Sequence, residues 1–173
     1  VFRSELKAAG ITKVVMMTGD SERTAAAIAK RVGVDEYYSE VLPEDKASFV
    51  EKEKALGHKV IMIGDGINDS LALSSANVGI AISDGAAIAR EIADVTISAD
   101  NLHEIVTLKR LSTALMKRIH NNYRTIIGVN GGLIALGVTG VIMPTTSALL
   151  HNMSTLTISL RSMRNLLPKE ETL

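Results

Sequence analysis

The chain has 173 residues, with 19 Lys and Arg balancing 19 Asp and Glu, and no cysteine. Its length allows one ordinary domain, or a small domain plus a second element. Balanced charge offers no field for nucleic acid, and the lack of cysteine excludes disulfides and thiolate metal sites within these residues. No secretory signal opens the chain, and Val1-Phe2-Arg3 reads as an internal start. With no tryptophan, that residue is missing for a membrane-interface belt. The even balance hides an asymmetry: no Asp, Glu, Lys or Arg occurs over 125–160.

In chain order, 1–9 reads as the end of a helix that stops at Gly10. An apolar strand over 13–17 closes on Thr18-Gly19-Asp20, and alanine and isoleucine at helical spacing predict a helix over 21–32 ending at Gly33. A short strand is expected over 37–42. Pro43 then opens a helix at a first-turn position, with Glu44 and Asp45 suited to its positive end, and Gly57 stops it. Further strands are expected over 60–63, 78–82 and 95–97, with helices after the first and over 86–93. Strands alternating with helices at this spacing indicate a parallel α/β sheet.

The informative stretch is Val-Ile-Met-Ile-Gly-Asp-Gly-Ile-Asn-Asp over 60–69. A short apolar run ended by glycine and followed by helix is the pattern of a buried parallel strand entering a βα unit. Ligands of open α/β sheets bind beyond the carboxyl ends of the strands, where this loop lies. Asp65 and Asp69 repel one another there unless a cation or proton sits between them, and hard oxygen ligands suit Mg²⁺ with phosphate. Read alone, the same residues serve equally as an Asp-Gly turn with a helix N-cap at Asn68 or Asp69. Likewise, Lys46 alone reads as a solvated helix residue, and Thr18 with Asp20 as an ordinary turn.

Taken together these segments go further. Gly64-Asp65-Gly66-Ile67-Asn68-Asp69-Ser70-Leu71-Ala72-Leu73 resembles the hinge motif of P-type cation-pumping ATPases, members of the haloacid dehalogenase superfamily. Met17-Thr18-Gly19-Asp20 resembles the family's T-G-D motif, and Pro43-Glu44-Asp45-Lys46 its lysine-bearing motif. The family's D-K-T-G-T, which carries the phosphorylated aspartate, is not among these residues. The resemblance therefore implies the C-terminal portion of a pump, downstream of that aspartate and of the nucleotide-binding insert, and inactive by itself.

The implied fold is an incomplete, Rossmann-like haloacid dehalogenase-like sheet over 1–100, followed by a stalk helix over 101–121. After these come a two-helix transmembrane hairpin over 122–167 and a cytoplasmic tail over 168–173. The implied chemistry is phosphoryl transfer from ATP to an aspartate, in which the protein positions groups and neutralises charge. Asp65, with Asp69, would hold Mg²⁺; Asn68 and Asp69 would shape the loop and orient phosphate and water. Thr18 and the Gly19 amide would donate to phosphoryl oxygens, Lys46 would set its ammonium against them, and Asp20 would meet the nucleotide.

From Asn101 the grammar changes. A long helix is expected over 102–121, carrying Lys109, Arg110, Lys117 and Arg118, before the uncharged run over 125–143. A turn at Pro144-Thr145-Thr146 then leads to a second apolar segment that reaches Arg161, Arg164 and Lys169. A helix needs about 20 apolar residues to cross a bilayer, and the basic flanks put both ends on the cytoplasmic side. Polar groups inside such a span invite a functional reading. Asn130, His151, Asn152, Ser154 and Thr155 are the candidates for holding a transported divalent transition metal, with His the best suited. Their other reading is structural: hydroxyls bonding their own helix, and Asn130 beside Gly131 and Gly132 serving packing, with Gly128 and Gly132 spaced for close helix contact.

A hairpin near the end of the chain resembles the heavy-metal branch of the pump family. The His-Asn-Met-Ser-Thr run is similar to patterns of that branch that imply zinc, cobalt, manganese or cadmium rather than monovalent copper, moved outward across a membrane. His58, His103 and His120 are expected at surfaces. Two other classes stay open. A soluble phosphatase of the same superfamily would need a catalytic Asp-x-Asp upstream and no membrane hairpin. A non-catalytic membrane regulator would use a degenerate domain.

Overall fold

A computed structural model describes residues 2–65, 67–82, 87–98 and 103–166. The chain divides after Val106 into two compact units. The first alternates strand and helix: α1 (Phe2–Ala8), β1 (Val15–Met17), α2 (Glu22–Val32), β2 (Glu36–Tyr38), α3 (Pro43–Ala55) and β3 (Ile61–Gly64). A 3₁₀ turn (Ile67–Asp69) then leads into α4 (Ser70–Ser75), β4 (Val78–Ile82), α5 (Ala87–Ile92) and β5 (Val95–Ile97). The alternation and the parallel pairing expected from the sequence are both present. The strands form two parallel groups, β1-β2 and β3-β4-β5. Val15 to Met17 run opposite Glu36 to Tyr38, and Ile61 to Gly64 run opposite Val78 to Ala81. The strand expected over 37–42 is therefore shorter, because its second half peels off into the loop that feeds α3.

The core is built from small and branched side chains. Ala47 and Val50 of α3 meet Ala72 of α4 over Val60 and Met62, while Leu73 packs on Ala81 with Ala93 behind it. Close approach depends on Gly79, where a Cβ would lie 2.8 Å from the Leu73 carbonyl oxygen. Helix α3 starts as expected, with Pro43 in its first turn and Glu44 and Asp45 beside it. Glu104 accepts from the Ser98 amide at 2.9 Å, and His103 pairs with Glu5 at 2.7 Å.

The second unit is helical. Helix α6 (His103–Val138) begins in the first unit and continues without a break through the position where a separate stalk was expected to end. Helix α7 (Pro144–Ser162) follows. Pro144 does not make the turn; it occupies the first turn of α7, where its missing N–H costs nothing. The reversal is made by Gly140, at φ 74°. Val141 N–H donates to the Leu136 carbonyl at 3.0 Å and Gly140 N–H to that of Gly137 at 3.1 Å, the pair of bonds that closes a helix on a left-handed residue.

The transmembrane hairpin expected over 122–167 is not seen as two apolar spans among the described residues. Among the described residues, no helix is long and apolar enough to cross a membrane. The charge-free part of α6 runs only from Thr125 to Val138. At the ordinary helical rise that is about 20 Å, short of a hydrocarbon core of about 30 Å. The apolar run of α7 is interrupted by His151, Asn152, Ser154 and Thr155. Among the described residues, a Cβ at Gly128 or Gly132 would meet nothing within 4 Å, so neither marks a close contact between α6 and α7. Lys169 and the tail over 168–173 lie outside the described residues.

Candidate active site

The first unit gathers the three motifs through one chain of contacts. Thr18 follows β1 directly. Its amide donates to the Tyr38 carbonyl at 3.0 Å, and its carbonyl accepts from Val41 N–H at 3.0 Å. The Asp20 carbonyl accepts from Glu40 N–H at 2.9 Å. Glu40 has φ 53°, a left-handed conformation uncommon for a residue with a Cβ. The Thr18–Asp20 loop is thus laced to the segment that enters α3. Across that segment the Glu22 carboxylate accepts from the hydroxyls of Ser39 and Tyr37, which hold it below the usual carboxylate range.

Four residues into α3, Lys46 turns inward. Its Nζ donates to Oδ1 of Asp69 at 2.8 Å. The side chains are 13% and 11% exposed, so this is a largely desolvated ion pair. Asp69 is the buried polar residue among the described ones. The backbone leaves it no latitude, because a Cβ at Gly64 would sit 2.6 Å from the Asp69 Cβ and 2.8 Å from its Oδ2. A glycine at the end of β3 is therefore what lets the Asp69 carboxylate fold back toward Lys46.

Asp65 lies beyond the end of β3 with its side chain exposed, and no hydrogen bond or ion pair from it occurs among the described residues. Asn68 is exposed in the 3₁₀ turn. Gly66 falls outside the described residues. Gly19 is exposed, and Thr18 Oγ1 donates to Asp20 Oδ2 at 2.7 Å while accepting from the Asp20 amide at 3.1 Å. The structure thus brings Lys46 to Asp69, ties Thr18 to Asp20, and leaves Asp65, Asn68 and Gly19 open to solvent. Among the described residues no three His, Cys, Asp or Glu gather as a metal site. The long-range pairing of Lys46 with Asp69 and the steric role of Gly64 have no local signal in the sequence. Only the company of the motifs hinted at them.

The helical unit joins two candidates that stand 21 residues apart. His151 Nδ1 lies 2.8 Å from Asn130 Oδ1, linking α7 to α6. Ser154 and Thr155 donate their hydroxyls to the His151 carbonyl at 2.8 and 3.1 Å, and so serve their own helix. Asn152 is exposed. A feature missed in the sequence lies at the other end of the pair. Arg118 of α6 donates to the carbonyls of Ser162, Arg164 and Asn165, and Asn122 donates to Ser162 Oγ at 2.6 Å. The other histidines have ordinary partners: His58 with Glu53 at 2.6 Å, and His120 with the Met116 carbonyl at 2.8 Å.

Residues 2–77 match the family model of haloacid dehalogenase-like hydrolases. A manganese-exporting P-type ATPase of Mycobacterium bovis is 38% identical over 162 residues, 93% of this chain and 23% of that protein. A copper-transporting P-type ATPase of Rhizobium leguminosarum bv. viciae is 42% identical over 144 residues, 82% of this chain and 17% of the relative. The crystal structure of a zinc-transporting PIB-type ATPase in its E2.Pi state superposes with a TM-score of 0.88 at 33% identity, covering 96% of this chain and 27% of the other. The chain therefore spans about a quarter, or less, of the length of these three proteins.

Proposed function

We propose that this chain, which carries a haloacid dehalogenase-like domain over residues 2–77, is a segment of a P-type ATPase that exports a divalent heavy-metal cation through an aspartyl-phosphate. The observation that carries this reading is the corner after β3, where an exposed carboxylate at Asp65 stands beside the desolvated Lys46–Asp69 pair. In such a reaction the protein's work is positioning and charge neutralisation rather than covalent chemistry.

Each part of the corner has a task in this reading. Asp69 spends its charge on Lys46, which leaves Asp65 as the hard, unpaired oxygen donor. One carboxylate plus phosphate oxygens is the usual donor set for Mg²⁺, so the residues present fit that ion. Bound there, it supplies neutralisation of the phosphoryl charge. Asp69 holds the ammonium of Lys46 at a fixed height, from which it faces the transferring group. The Thr18–Asp20 turn, closed on itself, offers the exposed Gly19 amide to a phosphoryl oxygen, with Asp20 toward the nucleotide. Asn68, exposed on the 3₁₀ turn, orients the water that releases phosphate.

The acceptor aspartate belongs to another part of the pump. β1 pairs only with β2, and β3 among the strands only with β4, so each has an open edge among the described residues. A strand bearing the acceptor between those edges would join both groups into one parallel sheet and bring its carboxyl end beside Asp65. The α/β unit then works on the cytoplasmic side, where ATP is available. The helical unit seats among the pump's other helices and helps to hold the cargo. Imidazole and amide groups favour zinc, manganese, cobalt or cadmium over monovalent copper, and the named relatives and neighbours handle manganese, zinc or copper.

The test uses the intact pump chain with Asp65→Asn. Metal-dependent phosphoenzyme formed from ATP is expected to fall by about a hundredfold or more. An unchanged phosphoenzyme level would refute the role of Asp65. A wild-type chain that formed none with any divalent metal would refute the pump itself.

A further inference from the structure

The contact between α6 and α7 bears on how the cargo is held, and its meaning for transport rests on the pump reading. The amide oxygen of Asn130 has lone pairs and no hydrogen, so the 2.8 Å contact is a hydrogen bond only when His151 Nδ1 carries a proton. A neutral imidazole protonated at Nδ1 keeps its free lone pair on Nε2. We propose that Asn130 is a positioning residue: it fixes His151 in the Nδ1–H tautomer and aims Nε2 at the transported cation, so that His151 is the ligand and Asn130 is not.

Two further observations favour this division of labour. His151 is exposed, whereas Asn130 is half-buried, so the imidazole is the more accessible of the two groups. Ser154 and Thr155 both donate to the His151 carbonyl, which holds that turn of α7. A carbonyl oxygen accepting the second ring N–H is the usual support of a metal-bound histidine, since it sets the tautomer and raises the basicity of the ligating nitrogen. The cargo this suits best is a divalent cation of borderline softness, such as Zn²⁺, ahead of the harder Mn²⁺.

A double-mutant cycle in the intact, purified pump chain separates a positioner from a ligand. Binding of Zn²⁺ and of Mn²⁺ would be measured by equilibrium dialysis for wild type, Asn130→Leu, Asn130→Asp, His151→Ala and the double variant Asn130→Leu/His151→Ala. Asn130→Leu should weaken binding about 10–100-fold, and Asn130→Asp, which keeps an oxygen acceptor, should restore most of it. In the His151→Ala background the leucine should cost nothing further. Nitrogen-resolved NMR of the ring should show Nδ1–H in wild type and in Asn130→Asp, and its loss in Asn130→Leu. An equal loss from Asn130→Leu with and without His151 would make Asn130 a ligand and overturn the proposal. So would unchanged affinity and an unchanged tautomer in that variant. Failure of the wild-type chain to bind either metal or to form phosphoenzyme would instead sink the pump reading, and this inference with it.

Discussion

The two units use polarity in opposite ways. In the first, apolar side chains such as Val50, Leu73 and Ile80 are almost fully covered, and among the described residues charge is brought inside where Lys46 meets Asp69. In the second, α7 buries no residue, and large apolar side chains including Ile134, Val138, Leu149, Leu156 and Leu160 stand exposed. Its polar ties run between the helices instead: Arg118 at one end, Asn130 with His151 farther along. Large apolar side chains exposed in such number mark helices on which something else packs. The α/β unit carries its own core, so its chemistry is set by what it hides. The helical unit owes its order to a few directional bonds.

Breaking the hidden charge pair should have the largest effect. In Lys46→Ala the Asp69 carboxylate stays behind Gly64 without its partner, and removing one member of a buried pair costs about 3–5 kcal/mol. Replacing both, as Lys46→Met with Asp69→Leu, should recover most of that loss, because well-packed apolar residues often equal or exceed a buried pair in stability. Urea unfolding followed by far-ultraviolet circular dichroism checks both variants. Equal losses in the single and double variants would mean that the pair is not desolvated and that the contrast between the units is misdrawn.

This pair also marks where reading the sequence runs out. Gly10, Gly33 and Gly57 were expected to end helices, and each has positive φ at a helix end. Pro43 was expected in a first turn and is there. Such features are local: the residue's own conformational preference decides them. The alternation of β and α is periodic and equally visible. By contrast, Lys46 and Asp69 are 23 residues apart, and nothing within one turn of either announces the contact. The split into two strand groups depends on which edges meet, which no single segment encodes. Pro144 misled because it suits both a turn and a helix start; Gly140 already makes the reversal, so the proline begins α7. The first of the two apolar spans was expected over 125–143, whereas α6 stops at Val138.

The helical unit can be probed by the same logic at smaller cost. Arg118→Ala removes the donors to the carbonyl of Ser162, the last residue of α7, and to those of Arg164 and Asn165 just beyond it, where the helix itself offers no partner. A loss of about 1 kcal/mol is expected, within the range of a single net hydrogen bond. It should appear as faster amide exchange in the final turn of α7, with the unfolding of the α/β unit unchanged. Arg118→Lys should keep part of the protection, since an ammonium can reach one carbonyl but not three. If exchange in that turn did not change, packing rather than directional bonding would hold the two helices together, and the contrast would weaken.

The smallest effect belongs to the surface of the α/β unit and depends on pH. Asp35 joins α1 to the start of β1. The Arg3 guanidinium, then Lys7 at 2.9 Å and the Val14 amide at 2.9 Å, hold its carboxyl well below the usual carboxylate range. A carboxylate with a lowered pKa in the folded state contributes stability above its unfolded value, about pH 3.9. That contribution is lost as pH falls through the lower, folded value. The stability difference between wild type and Asp35→Asn should therefore be constant above about pH 4 and shrink progressively toward stronger acid. Because Arg3 and Lys7 are substantially exposed, salt should shrink it as well. Denaturation midpoints of both proteins across that range would show it. A difference that persisted undiminished in strong acid would mean that Asp35 contributes through the geometry of its hydrogen bond to Val14, as an asparagine could not match, and not through its charge.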